Sequence, residues 1–275
     1  MAVFRWNQPI HASRLVGLAL LIALCLAALP ILDSIRLQTS VDAEIPDPTV
    51  GNVGIAGAIV AGFSSLFGDI GTSVIVGLIV AWLLTVGRQR DALFAGTAFV
   101  IAETLSRVTK LWFDAPRPYL LGDEGFQVAS VPEVFIVAMI GGLALVAAVV
   151  PKWRRPAFFA ALSVGLLFGA TVVVDRVLSA QSGIDGFPSG HATGSMAAAA
   201  IATIVAWRTR FRWPVVILGT VVVLGVAASR LYLDAHYPAD VLGGWCVAIA
   251  SVDLASLAGM ARGAIAPVNR ELSPG

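Results

Sequence analysis

The sequence predicts an all-α, polytopic transmembrane bundle, and three observations carry that expectation. Hydrophobic residues make up 58% of the 275-residue chain and charged residues only 13%, where a soluble domain averages about 25% charged. Mean hydropathy is +0.87. The apolar residues fall in blocks of about 18 or more with few charges, the length that crosses a bilayer core as a helix. These blocks lack the period-2 alternation of a membrane barrel, and in lipid only helices or closed barrels satisfy the backbone.

Eight spans are expected, over about residues 15–32, 70–87, 92–109, 133–150, 157–175, 191–207, 213–230 and 239–260. The first follows Arg5 and Arg14, as a signal peptide would. Its apolar run is longer than the usual signal core and no A-x-A site follows, so it reads as an uncleaved helix. Residues 33–69 form the longest outer connection. Within it Ile55–Phe67 mixes glycines with apolar residues and reads equally as an interfacial segment or a plain loop, with Phe63 and Phe67 as packing residues. Spans four and five, joined by the basic Pro151-Lys-Trp-Arg-Arg-Pro156, form an expected helical hairpin over 133–175, and residues 262–275 form a tail. The whole chain, 1–275, reads as one domain without internal repeats.

Charge sets the expected orientation. With the N-terminus inside, the inner segments hold Arg5, Arg14, Arg88, Arg90, Lys152, Arg154, Arg155, Arg208, Arg210, Arg212, Arg262 and Arg270. Those are twelve of the eighteen basic residues, the bias that marks cytoplasmic segments. Both termini are therefore expected in the cytoplasm of a plasma or inner membrane protein. A net charge of +1, with no Lys/Arg run beyond two, excludes a basic nucleic-acid face. Cys25 and Cys246 lie inside apolar blocks and read as packing residues.

Three polar segments interrupt this pattern at membrane boundaries, where polar groups are costly. They are Lys110-Leu-Trp-Phe-Asp-Ala-Pro-Arg117-Pro118, then Pro188-Ser189-Gly190-His191, then Ser229-Arg230-Leu-Tyr-Leu-Asp-Ala-His236-Tyr-Pro-Ala-Asp240. The expected topology puts all three on the outer face. Two of the chain's three histidines lie in them. Cations beside histidines suit an anionic ligand, and arginine grips phosphate through two parallel hydrogen bonds. Pro188-Ser189-Gly190 opens a helix, whose free N–H groups and dipole attract phosphate oxygens. Ser189 suits the cap, and Gly190 permits close approach to the backbone. Pro238 suits a first helical turn. The spacing of four lets Asp240 reach one imidazole nitrogen of His236 and leave the other free.

Lys110-x6-Arg117-Pro118, Pro188-Ser189-Gly190-His191 and Ser229-Arg230-x5-His236-x3-Asp240 together resemble the three-part signature of the type 2 phosphatidic acid phosphatase superfamily, which includes vanadium haloperoxidases and glucose-6-phosphatase. The resemblance covers Lys110 to Asp240. It implies a phosphatase that works without metal or other cofactor, through a phosphohistidine. His236 would attack phosphorus with Asp240 orienting it, and His191 would serve as acid and then base. Lys110, Arg117, Ser189, Gly190 and Arg230 would hold the phosphate oxygens. The apolar context implies a lipid phosphate substrate drawn from membrane lipids: undecaprenyl diphosphate, phosphatidylglycerol phosphate or phosphatidic acid. A phosphotransferase using the same intermediate and a non-catalytic lipid transporter or binder are the alternatives. One departure stands out: the 133–175 pair is an insertion relative to the common six-helix members.

Other residues read more plainly. Glu103, Arg107 and Lys110 share one face of span three, the first two as a supporting pair. Asp253 lies deep in span eight, and Trp112, Trp153, Trp207 and Trp213 read as interfacial belts.

Overall fold

The computed structural model describes residues 12–42, 55–113, 140–144, 147, 150–179, 186–233 and 235–265. Among them the secondary structure is helical, with no strand. The elements are α1 (Ala12–Asp42), α2 (Ile55–Leu66), α3 (Asp69–Thr85), α4 (Gln89–Phe113), α5 (Arg154–Ser179), α6 (Gly190–Ala206), α7 (Arg212–Tyr232) and α8 (Pro238–Ile265), with a 3-10 turn at Pro151–Trp153 before α5. The molecule is an all-α polytopic membrane bundle.

Four stretches are long and apolar enough to cross a bilayer: Gln89–Phe113, Pro151–Val174, Arg212–Tyr232 and Pro238–Ala258. Ala19–Ile35, Gly71–Thr85 and Gly190–Ala206 are shorter apolar helices. Seven expected spans thus appear as helices, and most of the 133–150 span lies outside the described residues. Its helical residues 140–144 approach α5, since a Cβ on Gly165 would lie 3.9 Å from Ile140. Two boundaries differ from expectation. The first helix runs on to Asp42, because hydropathy locates the lipid boundary and not the end of the helix. Residues 55–66, open between loop and interfacial segment, form a helix.

Helix α4 lies at the centre, packed by α3, α5, α6 and α8, while α6 also packs on α7 and α8, and α1 lies along α8. The core is built from Val76, Leu83, Phe94, Phe99, Leu167, Ile201 and Val252. Because lipid supplies no hydrophobic drive between helices, close approach at small residues carries much of the packing. A Cβ on Gly77 would lie 2.8 Å from the Val164 Cα, so α3 and α5 meet backbone to side. Leu24, Leu166, Leu218 and Val221 point outward, as expected of lipid-facing positions.

Gly87, at φ +76°, turns the chain between α3 and α4 in a conformation that only glycine adopts without strain. Just beyond it, Arg88 donates to Asp91 at 2.6 Å and to the Val205 carbonyl at 3.2 Å, joining the start of α4 to the end of α6. The opposite ends of these two helices carry the polar segments.

Candidate active site

The site is assembled from helix ends. At the start of α6, after a cis Phe187–Pro188 peptide, Ser189 takes the N-cap and its hydroxyl accepts from the Ala192 N–H at 3.4 Å. Thr193 Oγ1 donates to the Ser189 carbonyl at 2.9 Å. These bonds leave the first-turn N–H groups as the positive end of a helix dipole.

The start of α8 is organised by one carboxylate. Asp240 Oδ2 accepts from the Tyr237 N–H at 2.9 Å and lies 3.3 Å from His236 Nδ1. Asp240 is fully buried and His236 is 4% exposed. A carboxylate accepts, so Nδ1 carries the proton of this bond. Asp240 sits in the first turn of α8, where the dipole also favours its charge.

Backbone contacts bind the two turns together. The Ser189 N–H donates to the Asp240 carbonyl at 2.9 Å. That approach needs glycine: a Cβ on Gly244 would stand 2.6 Å from the Ser189 carbonyl oxygen. A Cβ on Gly243 would stand 2.6 Å from the Phe187 ring. Phe187 in turn meets Phe113, at the end of α4, edge to face with centroids 5.0 Å apart.

The cations come from the last turns of two other helices. Lys110 is buried near the end of α4 and Arg230 near the end of α7, the helix pole that favours positive charge. Arg230 Nη1 donates to Ser64 Oγ at 3.3 Å. Ser64 belongs to α2 and is 1% exposed. His191 is half-buried on the first turn of α6, its imidazole against the α2–α3 turn. A Cβ on Gly68 would lie 2.7 Å from His191 Nε2. Arg117 lies outside the described residues.

The structure thus ties Ser189 to Asp240, His236 to Asp240, Arg230 to Ser64 and His191 to Gly68. Ser64 and Gly68 have no place in the three segments. The sequence marks Ser64-Ser65 and Gly68 only as small polar or flexible residues inside an apolar stretch, which does not point to their distant partners. Beneath His191, a Cβ on Gly194 would lie 2.8 Å from Thr72 Oγ1 and 3.4 Å from Glu103 Oε1. Glu103 therefore points across to α6 as well as sharing a helix face with Arg107.

Two helix starts joined at one buried histidine–carboxylate pair, with buried cations at the ends of two further helices, outline a class of membrane protein, and a family model delimits it. The model described as the PAP2 superfamily matches residues 91–262, from the first turn of α4 through most of α8. The chain belongs to the PAP2 superfamily. Over a stretch of 64 residues it is 44% identical to undecaprenyl-diphosphatase BcrC of Bacillus subtilis (strain 168). That stretch is 23% of this chain and 30% of the relative, so the match spans less than a third of the relative's length. No solved structure matches.

Proposed function

We propose that the protein is a membrane lipid phosphatase that hydrolyses a polyprenyl diphosphate of the undecaprenyl type. The observation that carries this reading is the His236–Asp240 pair, hydrogen-bonded through the Asp240 carbonyl to the capped N-terminus of α6. A nucleophile held by a carboxylate stands next to a ready-made anion site.

The chemistry runs in two displacements. His236 Nε2 attacks the terminal phosphorus and the bond to the bridging oxygen breaks, with His191 donating a proton to the leaving lipid phosphate. Asp240 stabilises the positive charge that forms on the imidazole. Water then attacks the phosphohistidine, losing its proton to His191, and the P–N bond breaks to free phosphate and His236. Lys110, Arg117, Arg230, Ser189 and the Gly190 N–H hold the equatorial oxygens as charge builds on them. Every step is supplied by protein groups, so no metal takes part. The 44% identity to an undecaprenyl-diphosphatase supports the choice of lipid over phosphatidylglycerol phosphate and phosphatidic acid. The basic residues at the opposite end of the helices support an outward-facing site.

Phosphate release is measured on purified protein in EDTA with undecaprenyl diphosphate, phosphatidylglycerol phosphate and phosphatidic acid, beside His236→Ala. Fastest turnover of the diphosphate, undiminished by EDTA and lost in the variant, is expected. Release that persists in His236→Ala rules out the mechanism, and preference for a glycerolipid rules out the substrate.

A further inference from the structure

At the end of the bundle away from His236, the last turn of α3 and the first turns of α5 border a half-open cavity of about 720 Å³. Its walls include Leu84, Gly87, Arg154, Arg155, Phe158 and Phe159. The proposed phosphatase chemistry uses none of them.

Its chemistry has two halves. Arg154 and Arg155 are exposed, and among the described residues neither has an ion-pair partner. Among the described residues no acidic side chain lines the cavity. Below the arginines, Phe158 is 54% exposed and stacks edge-on against Phe159 at 5.7 Å. A cationic mouth over an aromatic and aliphatic wall matches an amphiphile with an anionic head.

The depth matches too. The apolar stretch Pro151–Val174 begins at this cavity, so the two arginines sit where its hydrocarbon-spanning part starts. Exposed Trp82, Trp153, Trp207 and Trp213 lie at the same end of the bundle, at the level where indole rings prefer the headgroup layer. Arg88, by contrast, is already engaged by Asp91 at 2.6 Å.

We propose that this cavity binds one anionic phospholipid. Its phosphodiester pairs with Arg154 and Arg155, and an acyl chain runs down the Phe158–Leu84 wall. Guanidinium groups pair bidentately with phosphate oxygens, which a zwitterionic headgroup partly offsets with its own cation. Basic pockets between transmembrane helices are a recurring form of headgroup recognition. This site is independent of the phosphatase reading and stands whether or not the opposite end hydrolyses a lipid.

The test uses full-length protein in bilayer nanodiscs of equal phosphatidylglycerol and phosphatidylcholine. Retained lipids are counted by native mass spectrometry after detergent extraction. R154Q/R155Q is compared with wild type and with R210Q/R212Q, which removes two arginines at the same end but outside the cavity. A helical circular-dichroism spectrum and monodisperse elution establish that each variant is folded. One phosphatidylglycerol retained in preference to phosphatidylcholine is expected for wild type and R210Q/R212Q. At roughly fivefold per basic residue, R154Q/R155Q should bind it about 25-fold more weakly. Equal loss in both variants would reduce the effect to general surface charge and overturn the site. Unchanged retention in R154Q/R155Q overturns it as well. Displacement of the lipid by millimolar inorganic phosphate would show a phosphate site without lipid recognition, which also defeats the proposal.

Discussion

At the residue scale, two glycines separate packing from chemistry. A methyl on Gly68 would meet the His191 imidazole at 2.7 Å, the movable end of a side chain. A methyl on Gly244 would meet the Ser189 carbonyl at 2.6 Å, which is backbone. Gly68→Ala, whose methyl also comes to 3.2 Å from the Ser64 carbonyl, should therefore lower the melting temperature less than a clash with backbone at 2.6 Å, but lose activity by about 10²-fold or more, since it displaces the proposed acid–base group. Gly244→Ala should lose about 1–3 kcal/mol of stability through overpacking, seen as a lower melting temperature, together with activity. Equal melting temperatures would show that the Ser189–Asp240 contact yields easily. Asp240→Asn tests the orienting carboxylate: phosphate release should fall about 10²- to 10⁴-fold with little change in KM, as for other wrongly oriented imidazoles. His236 and Asp240 were legible because they lie four residues apart, and Ser189 because it caps the helix it opens, accepting from the Ala192 N–H. Ser64 and Gly68 were not, because their partners Arg230 and His191 are more than a hundred residues away.

At the element scale, the informative helix is α2, which the apolar pattern left open between loop and interfacial segment. It packs on α7 and α3, and Phe63 seats against α7 where Gly225 leaves room, since a Cβ there would lie 2.8 Å from the ring. That seating delivers Ser64 to Arg230. Removing a hydrogen bond to a charged group costs about 1.5–3 kcal/mol when the charge is left without it. Ser64→Ala is thus expected to lower kcat/KM roughly tenfold or more, chiefly through phosphate binding, with Ser64→Thr restoring most of it. A Ser64→Ala enzyme with wild-type kinetics would leave α2 a purely structural cover. The long helices were readable because a lipid solvent demands continuous apolar length. α2 spans only 12 residues, too short to cross, and a helix of that length forms through its tertiary contacts.

At the scale of the whole molecule, the helices set two unlike ends: one gathers His191, His236 and the Ser189–Asp240 contact, the other the exposed basic and tryptophan residues. We expect the basic end to be cytoplasmic. A reporter fused after Arg154 should read as inside and one fused after Tyr237 as outside; the reverse pattern would turn the site to the cytoplasm and with it the choice of substrate pool. The sequence by itself determined the membrane class, the helical spans and which residue types could meet a phosphate. Each of those depends on composition and on spacings within a single turn or span. Only the tertiary structure decided that Ser189 bonds Asp240, that α2 meets Arg230 and the α2–α3 turn meets His191, and that Arg154 and Arg155 border a groove with Leu84. Those relations join segments far apart in the chain. Several depend on glycines that let the helices approach closely, such as Gly244 and Gly225, and hydropathy does not encode such approaches.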